Sequence, residues 1–342
     1  MVFLLAVGLS SCEETDNFQK DLTYSEYLND KSIHLIRIFN GDIWVSSTNV
    51  CDTCYVAPQN SRVPLTAQLI RINNSGFDYE EPTNVSAPVA DNRGNLYVSG
   101  NLWQYPYESR NKLFRVKAIG KYELVLETGD FYFDDFAFDR NNNIWFHGHE
   151  GIAFYNGSDL KVYDTSNSML PTNINHGLAI GKDGIVWVAL DHEGGLLKIT
   201  GDKWEFIPYA NIPGNISYLS NPIVDNENNI WFRVSTLNRT DTKSDILRFD
   251  GRDWYYEYIG HGDYTRAMEI DSEGIIWVIT FDMEYSHEGY PITKSSDITY
   301  YQDEAWTNFD IGDIRNTEIF TLNADSKRIY IGTGKGMKVI EK

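Results

Sequence analysis

One short pattern, repeated seven times, constrains the fold of this chain more than any other feature. Each copy has a turn rich in Asp, Asn and Gly, then an apolar residue, an aromatic residue and another apolar residue, as at residues 40–45 and 91–98. The aromatic positions are Trp44, Tyr97, Trp145, Trp187, Trp231, Trp277 and Tyr330. A spacing of roughly 40–50 residues between units made of short strands is typical of β-propeller blades.

Each repeat reads as four strands. In the fourth repeat an apolar run at 178–180 precedes the turn, Trp187 lies on the second strand, 195–199 forms the third, and Trp204 follows a Gly turn on the fourth. The sequence therefore predicts an all-β fold, a seven-bladed β-propeller with four-stranded antiparallel blades, over residues 21–342.

The last repeat lacks a fourth strand, because the chain reaches only the third strand at residues 337–340. Residues 22–28, which precede the first repeat, have alternating character. We expect this N-terminal segment to complete the last blade, which would close the ring and remove the exposed sheet edges.

The N-terminus differs in kind from the repeats. Residues 1–9 are apolar but too few to span a bilayer, and residues 9–12 read Leu-Ser-Ser-Cys. This arrangement is typical of a signal peptide, and its end resembles the bacterial lipobox. We expect residues 1–12 to be a lipoprotein signal peptide with lipidation at Cys12, and residues 13–20 to be a tether. An N-terminal strand buried in the fold is the alternative.

The net charge and the cysteines limit the classes of partner and of cysteine chemistry that we expect. The formal net charge is −20, which excludes the Lys and Arg surplus that nucleic acids or a polybasic membrane patch would require. We expect membrane contact only through the lipid anchor. Cys51 and Cys54 form a single CxxC pair, for which a disulfide in an exported protein is favoured over zinc. We expect a monomer without a cofactor.

The repeat also carries a family resemblance. The phrase Asp-x-x-Gly-Asn-Ile-Trp-Val-Gly-Thr, with later Gly-Leu, Gly-x-x-Trp and Leu-Pro elements at places such as 168–173 and 332–337, resembles the two-component regulator propeller repeat. The resemblance covers about residues 30–342. It implies a relative of the periplasmic sensor propellers of Bacteroidetes, and we expect a free-standing lipoprotein without the kinase, at the outer membrane on its periplasmic or surface side.

Alternating strand direction places the connections between second and third strands on the same rim as those between blades. Long connections are predicted near 48–68, 99–112, 233–245 and 279–297, and uneven loops of this kind form binding grooves. Trp103 belongs to neither class of anchor aromatic, so it either stacks on a sugar or covers its own blade. The candidate ligand-binding residues are Trp103, Tyr105, Asp134, His147, His149, His176, His192, Arg233, Tyr264, Arg266 and Tyr285.

No catalytic motif with diagnostic spacing is present, so the sequence favours a non-catalytic protein that binds a glycan or an envelope protein. Two alternatives remain open. The histidines at 147, 149, 176 and 192 have side chains that suit zinc, although we predict no metal site. A polysaccharide lyase or glycoside hydrolase would use His, Tyr and Arg side chains with carboxylates from Asp134, Asp135, Asp191 and Glu193.

Overall fold

Seven four-stranded antiparallel sheets make up the protein in a computed structural model, which confirms the predicted β-propeller. The structure describes residues 24–29, 31–49, 67–73, 76–79, 88–100, 111–118, 120–191, 194–214, 216–236, 245–259, 264–285, 287 and 291–342. Within these ranges no helix is of the length and apolarity needed to cross a membrane.

The strands follow one another without an intervening α-helix in the described residues. In chain order they are β1 (Tyr24–Tyr27), β2 (Lys31–Phe39), β3 (Asp42–Asn49), β4 (Ala67–Asn73), β5 (Gly76–Tyr79), β6 (Val89–Ala90), β7 (Leu96–Ser99), β8 (Lys112–Ala118), β9 (Lys121–Glu127), β10 (Asp135–Phe138), β11 (Ile144–Gly148), β12 (Gly151–Tyr155), β13 (Leu160–Tyr163), β14 (Asn175–Ile180), β15 (Val186–Leu190), β16 (Gly195–Thr200), β17 (Lys203–Pro208), β18 (Ile216–Val224), β19 (Ile230–Thr236), β20 (Asp245–Phe249), β21 (Trp254–Tyr258), β22 (Tyr264–Ile270), β23 (Ile276–Tyr285), β24 (Pro291–Gln302), β25 (Ala305–Phe309), β26 (Ile319–Ala324), β27 (Arg328–Thr333) and β28 (Gly336–Glu341).

The ring is closed by the N-terminal strand, as predicted. Blades I to VI are β2–β5, β6–β9, β10–β13, β14–β17, β18–β21 and β22–β25, and blade VII has the order β1-β28-β27-β26. Tyr24 pairs with Ile340 and Tyr27 pairs with Met337. Glu26 forms an ion pair with Lys338 across this seam, and the Lys338 hydrogen bond lowers the pKa of Glu26. The first and last parts of the described chain therefore share one sheet.

The core lies between neighbouring blades and is built on the repeated aromatics. Trp231 of blade V is 1% exposed and packs edge-on against Tyr301 and Trp306 of blade VI. Burying an aromatic side chain removes about 150–250 Å² from water, worth roughly 4–6 kcal/mol before entropy is counted. Repetition of such contacts around the ring fixes the blades and leaves their rims available for function.

The turns between first and second strands lie on one rim, here called the turn rim, and are held by aspartates. Asp225 Oδ1 accepts the backbone N–H groups of Glu227 and Asn229 at 2.9 and 2.8 Å, and its Oδ2 accepts Trp231 Nε1 at 2.9 Å. Asp271 binds the indole of Trp277 in the same way, at 2.9 Å. In blades V and VI the carboxylate of the repeat therefore ties the turn to its buried tryptophan.

The prediction of a long loop near 279–297 is wrong. β23 continues to Tyr285 and β24 begins at Pro291, so most of this stretch is an extended β-hairpin of blade VI. Alternating β-branched and polar residues around Thr280 and Thr293 support pairing beyond the length of the other blades, with one register shift between Asp282 and Met283. The predicted loops of blades I, II and V fall largely outside the described residues.

Candidate functional site

The first strand of each blade is the innermost, and in five consecutive blades this strand contains a register shift. The shifts in blades IV, VI, VII and I, and the first of two in blade V, occur toward the rim opposite the turn rim, here called the funnel rim; the second shift of blade V lies closer to the turn. The residues inside them are His176 and Gly177 in blade IV, Ser217, Asn221 and Pro222 in blade V, Arg266 in blade VI, Phe320 in blade VII and His34 in blade I. A bulge leaves its extra residue unpaired in the ladder and re-aims its side chain. The contacts below, together with the electrostatic influence of Arg266 on Arg233, place these side chains in one line from blade IV to blade I.

The line begins with a histidine–aspartate pair in blade IV. Asp191 follows the end of β15, and its Oδ1 lies 3.0 Å from His176 Nε2. The His176 ring also contacts the ring of Tyr218 on β18, with centroids 5.0 Å apart. Tyr218 remains 38% exposed. A carboxylate therefore holds an imidazole against an accessible phenol at the boundary between two blades.

Arg233, on β19 of blade V, comes next. Its Nη1 donates to Asn221 Oδ1 at 3.3 Å, and its Nε is buried without a hydrogen-bond partner. Burial lowers the pKa of the Arg233 guanidinium; Tyr218 acts in the opposite direction, and Arg266 lowers this pKa further. Arg233 is thus a partly buried cation whose charge is opposed by a second cation, Arg266.

Arg266 is held more firmly. Its Nη2 lies 2.9 Å from Glu318 Oε1 and donates to Thr293 Oγ1 at 3.2 Å. Its guanidinium carbon lies 4.5 Å from the ring centre of Phe281 and 5.2 Å from that of Phe320. Its Nε, like that of Arg233, is buried without a hydrogen-bond partner. Stacking and ion pairing fix the position of this charge.

Aromatic side chains complete the line. The ring of Tyr264 stacks on that of Phe281, 5.5 Å away, and Tyr264 itself is exposed. The ring of His34 lies 5.2 Å from that of Phe320, and burial lowers the pKa of His34 while Glu318 acts to raise it. Tyr285 is 70% exposed at the end of β23 and takes part in none of the contacts described for this line.

Three of the predicted residues form a separate group on blade III. His149 Nε2 lies 3.6 Å from Asp134 Oδ2, and the backbone N–H of Asp134 donates to the carbonyl of His147. Burial lowers the pKa of His147, with Asp135 and Asp134 acting in the opposite direction. No three His, Cys, Asp or Glu side chains in the described part of the chain are grouped to hold a metal ion.

Polar side chains also join the innermost strands of blades I, VI and VII, farther from the funnel rim. Arg37 of blade I donates to Glu269 of blade VI at 3.1 Å, and Asn323 of the intervening blade VII donates to the carbonyl of Ile36 at 3.3 Å. These residues lie level with the buried aromatics, since Arg37 pairs with Trp44 and Glu269 pairs with Trp277. The ion pair therefore places charged side chains beneath the residues of the funnel rim.

Several predicted residues lie outside the described residues: Trp103, Tyr105, His192, Cys12, Cys51 and Cys54. Sequence reasoning missed His34, Tyr218, Phe281, Thr293, Glu318 and Phe320. His34 and Phe320 occupy the position equivalent to Arg266, shifted by one residue relative to their aromatic anchors. Only the register of each bulge reveals this equivalence.

No family model and no curated protein matches the chain. Solved structures do show the same fold. Virginiamycin B lyase from Staphylococcus aureus matches with a TM-score of 0.64 and 14% identity, over 94% of this chain and 98% of that chain. The extracellular domain of the hybrid two-component system BT3049 from B. thetaiotaomicron matches with a TM-score of 0.63 and 16% identity, over 93% of this chain and 41% of that one.

A third propeller, YCF48 in complex with a D1 peptide, matches with a TM-score of 0.56 and 9% identity, over 95% of this chain and 98% of that chain. These three structures are a lyase, an extracellular domain of a two-component system and a peptide-bound protein. Similarity at these identities establishes the propeller fold, and one fold hosts many functions. The function must therefore be argued from the funnel rim.

Proposed function

We propose that this chain is a cell-envelope propeller of the two-component regulator type that binds a ligand, a glycan or a protein partner, at the funnel rim without transforming it. The observation that carries the proposal is the run of five bulged inner strands, whose His, Asn, Arg and Phe side chains lie in two contact groups, one around His176 and Arg233 and one from Arg266 to His34. Bulges of this kind are over-represented where a side chain is directed to a ligand.

The position of these residues supports binding. Tyr218 and Tyr264 present accessible aromatic faces, and the side chains of Arg233 and Arg266 present charge on the same two blades. A small number of placed polar groups among aromatic side chains is the usual composition of a ligand site. The fold shared with extracellular sensor domains of Bacteroides supports an envelope location.

Binding is tested with a glycan array and calorimetry on wild type and two tyrosine variants. Tyr218→Ala removes a funnel-rim ring, and Tyr255→Ala removes an outer-strand ring of the same blade with nearly equal exposure, 39% against 38%. We expect Tyr218→Ala to weaken binding about tenfold and Tyr255→Ala to leave it unchanged. Equal affinities for all three proteins would refute the location of the site.

Lipidation at Cys12 is part of the proposal. Cys12→Ser is expected to shift the protein from the membrane fraction to the soluble fraction of the producing cell, and to abolish incorporation of a labelled fatty acid. If the Cys12→Ser variant kept both its membrane association and its fatty-acid label, Cys12 would be excluded as the anchor. Replacement of Ser10, a neighbour in the same segment, serves as the control.

One observation favours a second candidate, a polysaccharide lyase or glycoside hydrolase. Asp191 Oδ1 lies 3.0 Å from His176 Nε2, the His176 ring contacts Tyr218, and Tyr218 acts electrostatically on Arg233, so a base and an acid are adjacent and a cation is near the acid. A positioned base of this kind contributes about 10²–10⁴ in rate. His176→Gln would then abolish release of unsaturated or reducing sugar while leaving substrate affinity within a factor of a few. Binding by wild type without any product would exclude this candidate.

A further inference from the structure

We propose that Arg233 and Arg266 bind the carboxylate of an acidic saccharide. This inference rests on the proposed function and specifies the ligand class of the same rim. It starts from the charges at the boundary between blades V and VI and not from any resemblance to another protein.

The argument begins with the missing counter-ion of Arg233. Among the described residues no carboxylate pairs with Arg233, whose single hydrogen bond runs from Nη1 to Asn221. Burying a guanidinium without a counter-charge is unfavourable, and the chain carries 49 acidic residues from which a partner could have come. An arginine kept in this condition next to another cation is suited to receive an anion from outside.

Arg266 contributes a fixed second charge. Its contacts with Glu318 and Thr293 employ Nη2, and the rings of Phe281 and Phe320 hold the guanidinium plane. Glu318 compensates Arg266, but the positive field of Arg266 still reaches Arg233 and lowers its pKa. The pair therefore presents one uncompensated positive charge, for which a single carboxylate is the matched ligand group. The planar fork of the Arg233 guanidinium suits the two oxygens of a carboxylate.

The neighbours of the pair favour a saccharide over an acidic peptide. Tyr218 of blade V contacts His176 of blade IV, and Tyr264 of blade VI stacks on Phe281; both tyrosine rings are exposed. The apolar C–H face of a sugar ring packs on an aromatic face, and a rigid sugar loses little conformational entropy on binding. A uronate residue joins such a ring directly to a carboxylate, which combines both features within a single unit.

The test uses oligomers of galacturonate and of glucuronate, their methyl esters, hexaglutamate and potassium acetate, titrated by calorimetry at one ionic strength. The methyl esters keep the sugar rings and remove the carboxylate charge. Arg233→Gln is the test variant. Arg252→Gln is the matched control, because Arg252 is in the same blade, is 90% exposed, and lies in the turn between β20 and β21.

Wild type and Arg252→Gln are expected to bind at least one acidic oligomer about tenfold or more tightly than its ester, and Arg233→Gln is expected to bind the two forms equally. Arg233→Gln should keep the unfolding midpoint of wild type, since Arg233 forms no ion pair with a described residue. A large drop in that midpoint would assign Arg233 a structural role and overturn the proposal.

The remaining outcomes separate this inference from the proposed function. Equal binding of acid and ester by wild type would overturn the carboxylate site and leave glycan binding intact. Binding of hexaglutamate at the affinity of the best uronate, with the same loss in Arg233→Gln, would replace the saccharide by an acidic peptide. Failure of every oligomer and of acetate to bind would overturn the inference, whereas loss of all glycan-array signal would overturn the proposed glycan ligand itself.

Discussion

Replacing Asp225 by alanine tests whether the aspartate turns hold the propeller together. Its carboxylate accepts four hydrogen bonds, from the backbone N–H groups of Glu227 and Asn229, from Asn229 Nδ2, and from Trp231 Nε1. Trp231 is 1% exposed and packs against blade VI. Asp225→Ala therefore removes the partner of a buried indole and loosens a turn at once.

The expected loss follows from which donors can be rehydrated. Glu227 lies at the exposed tip of the turn, so water replaces the aspartate for most of the backbone donors at little cost. The indole N–H is enclosed by the blade interface, and a buried donor without a partner costs about 1–3 kcal/mol. When the weakened turn is included, we expect Asp225→Ala to lower the free energy of unfolding by about 2–4 kcal/mol, and the melting temperature by roughly 3–6 °C.

Urea unfolding followed by tryptophan fluorescence measures this change. Asp250→Ala is the matched control: Asp250 accepts two backbone N–H groups and the hydroxyl of Tyr255 in an exposed turn of the same blade, so its loss should cost less than about 1 kcal/mol. In a Trp231→Phe background, which lacks the indole donor, Asp225→Ala should cost markedly less. Equal losses for Asp225→Ala and Asp250→Ala would refute the reasoning.

Two further predictions concern stability. Burial lowers the pKa of His34 and of His147, so the unfolded chain binds protons first, and stability should fall as the pH drops below about 6.5, by up to about 1.4 kcal/mol per pH unit for His147 and by less for His34, whose exposed side chain is screened by solvent. Asparagine at either position should reduce the fall of the urea unfolding midpoint between pH 7 and pH 5. A variant with the same pH dependence as wild type would contradict this. Gly336 has φ +102°, and a Cβ there would lie 2.7 Å from the Tyr27 carbonyl oxygen, whereas Gly251 has φ +93° and no atom within 4 Å. Gly336→Ala should therefore lower the urea midpoint more than Gly251→Ala, and equal losses would mean that contact with the closing strand adds nothing.

The sequence was sufficient for the ring because the anchors are periodic. Trp145, Trp187 and Trp231 recur with the same turn before them, and this period specifies a blade irrespective of what the rims carry. Closure by residues near 24–27 followed from the strand missing in the last repeat. Both inferences concern the pairing of strands, which the sequence repeat specifies.

The funnel rim could be predicted only in part, because its residues lie at β-bulges and so do not keep a constant spacing from the anchor aromatics. Arg266 and His176 were found as polar residues at the start of an inner strand. His34 and Phe320 were not found, since the register shifts at 33–35 and 319–321 cannot be read from the residue types. The extended hairpin ending at Tyr285 was mistaken for a loop, because polar residues on a solvated strand look like loop residues in sequence.

This division between anchors and bulges implies that ligand preference can change without loss of the fold. The side chain of a bulged residue is outside the pairing register, so replacing it leaves the ladder hydrogen bonds in place. Phe320→Ala, at the bulge of blade VII, should cost less than about 1.5 kcal/mol, whereas Trp277→Ala, at an anchor that is 3% exposed, should cost about 3–5 kcal/mol. The same Phe320→Ala change frees the stacked face of Arg266 and should alter ligand affinity, which urea unfolding and calorimetry on the two variants would measure. If Phe320→Ala lowers the free energy of unfolding as much as Trp277→Ala, the bulged residues are part of the core. Ligand-binding residues on the funnel rim could then not be exchanged without loss of stability.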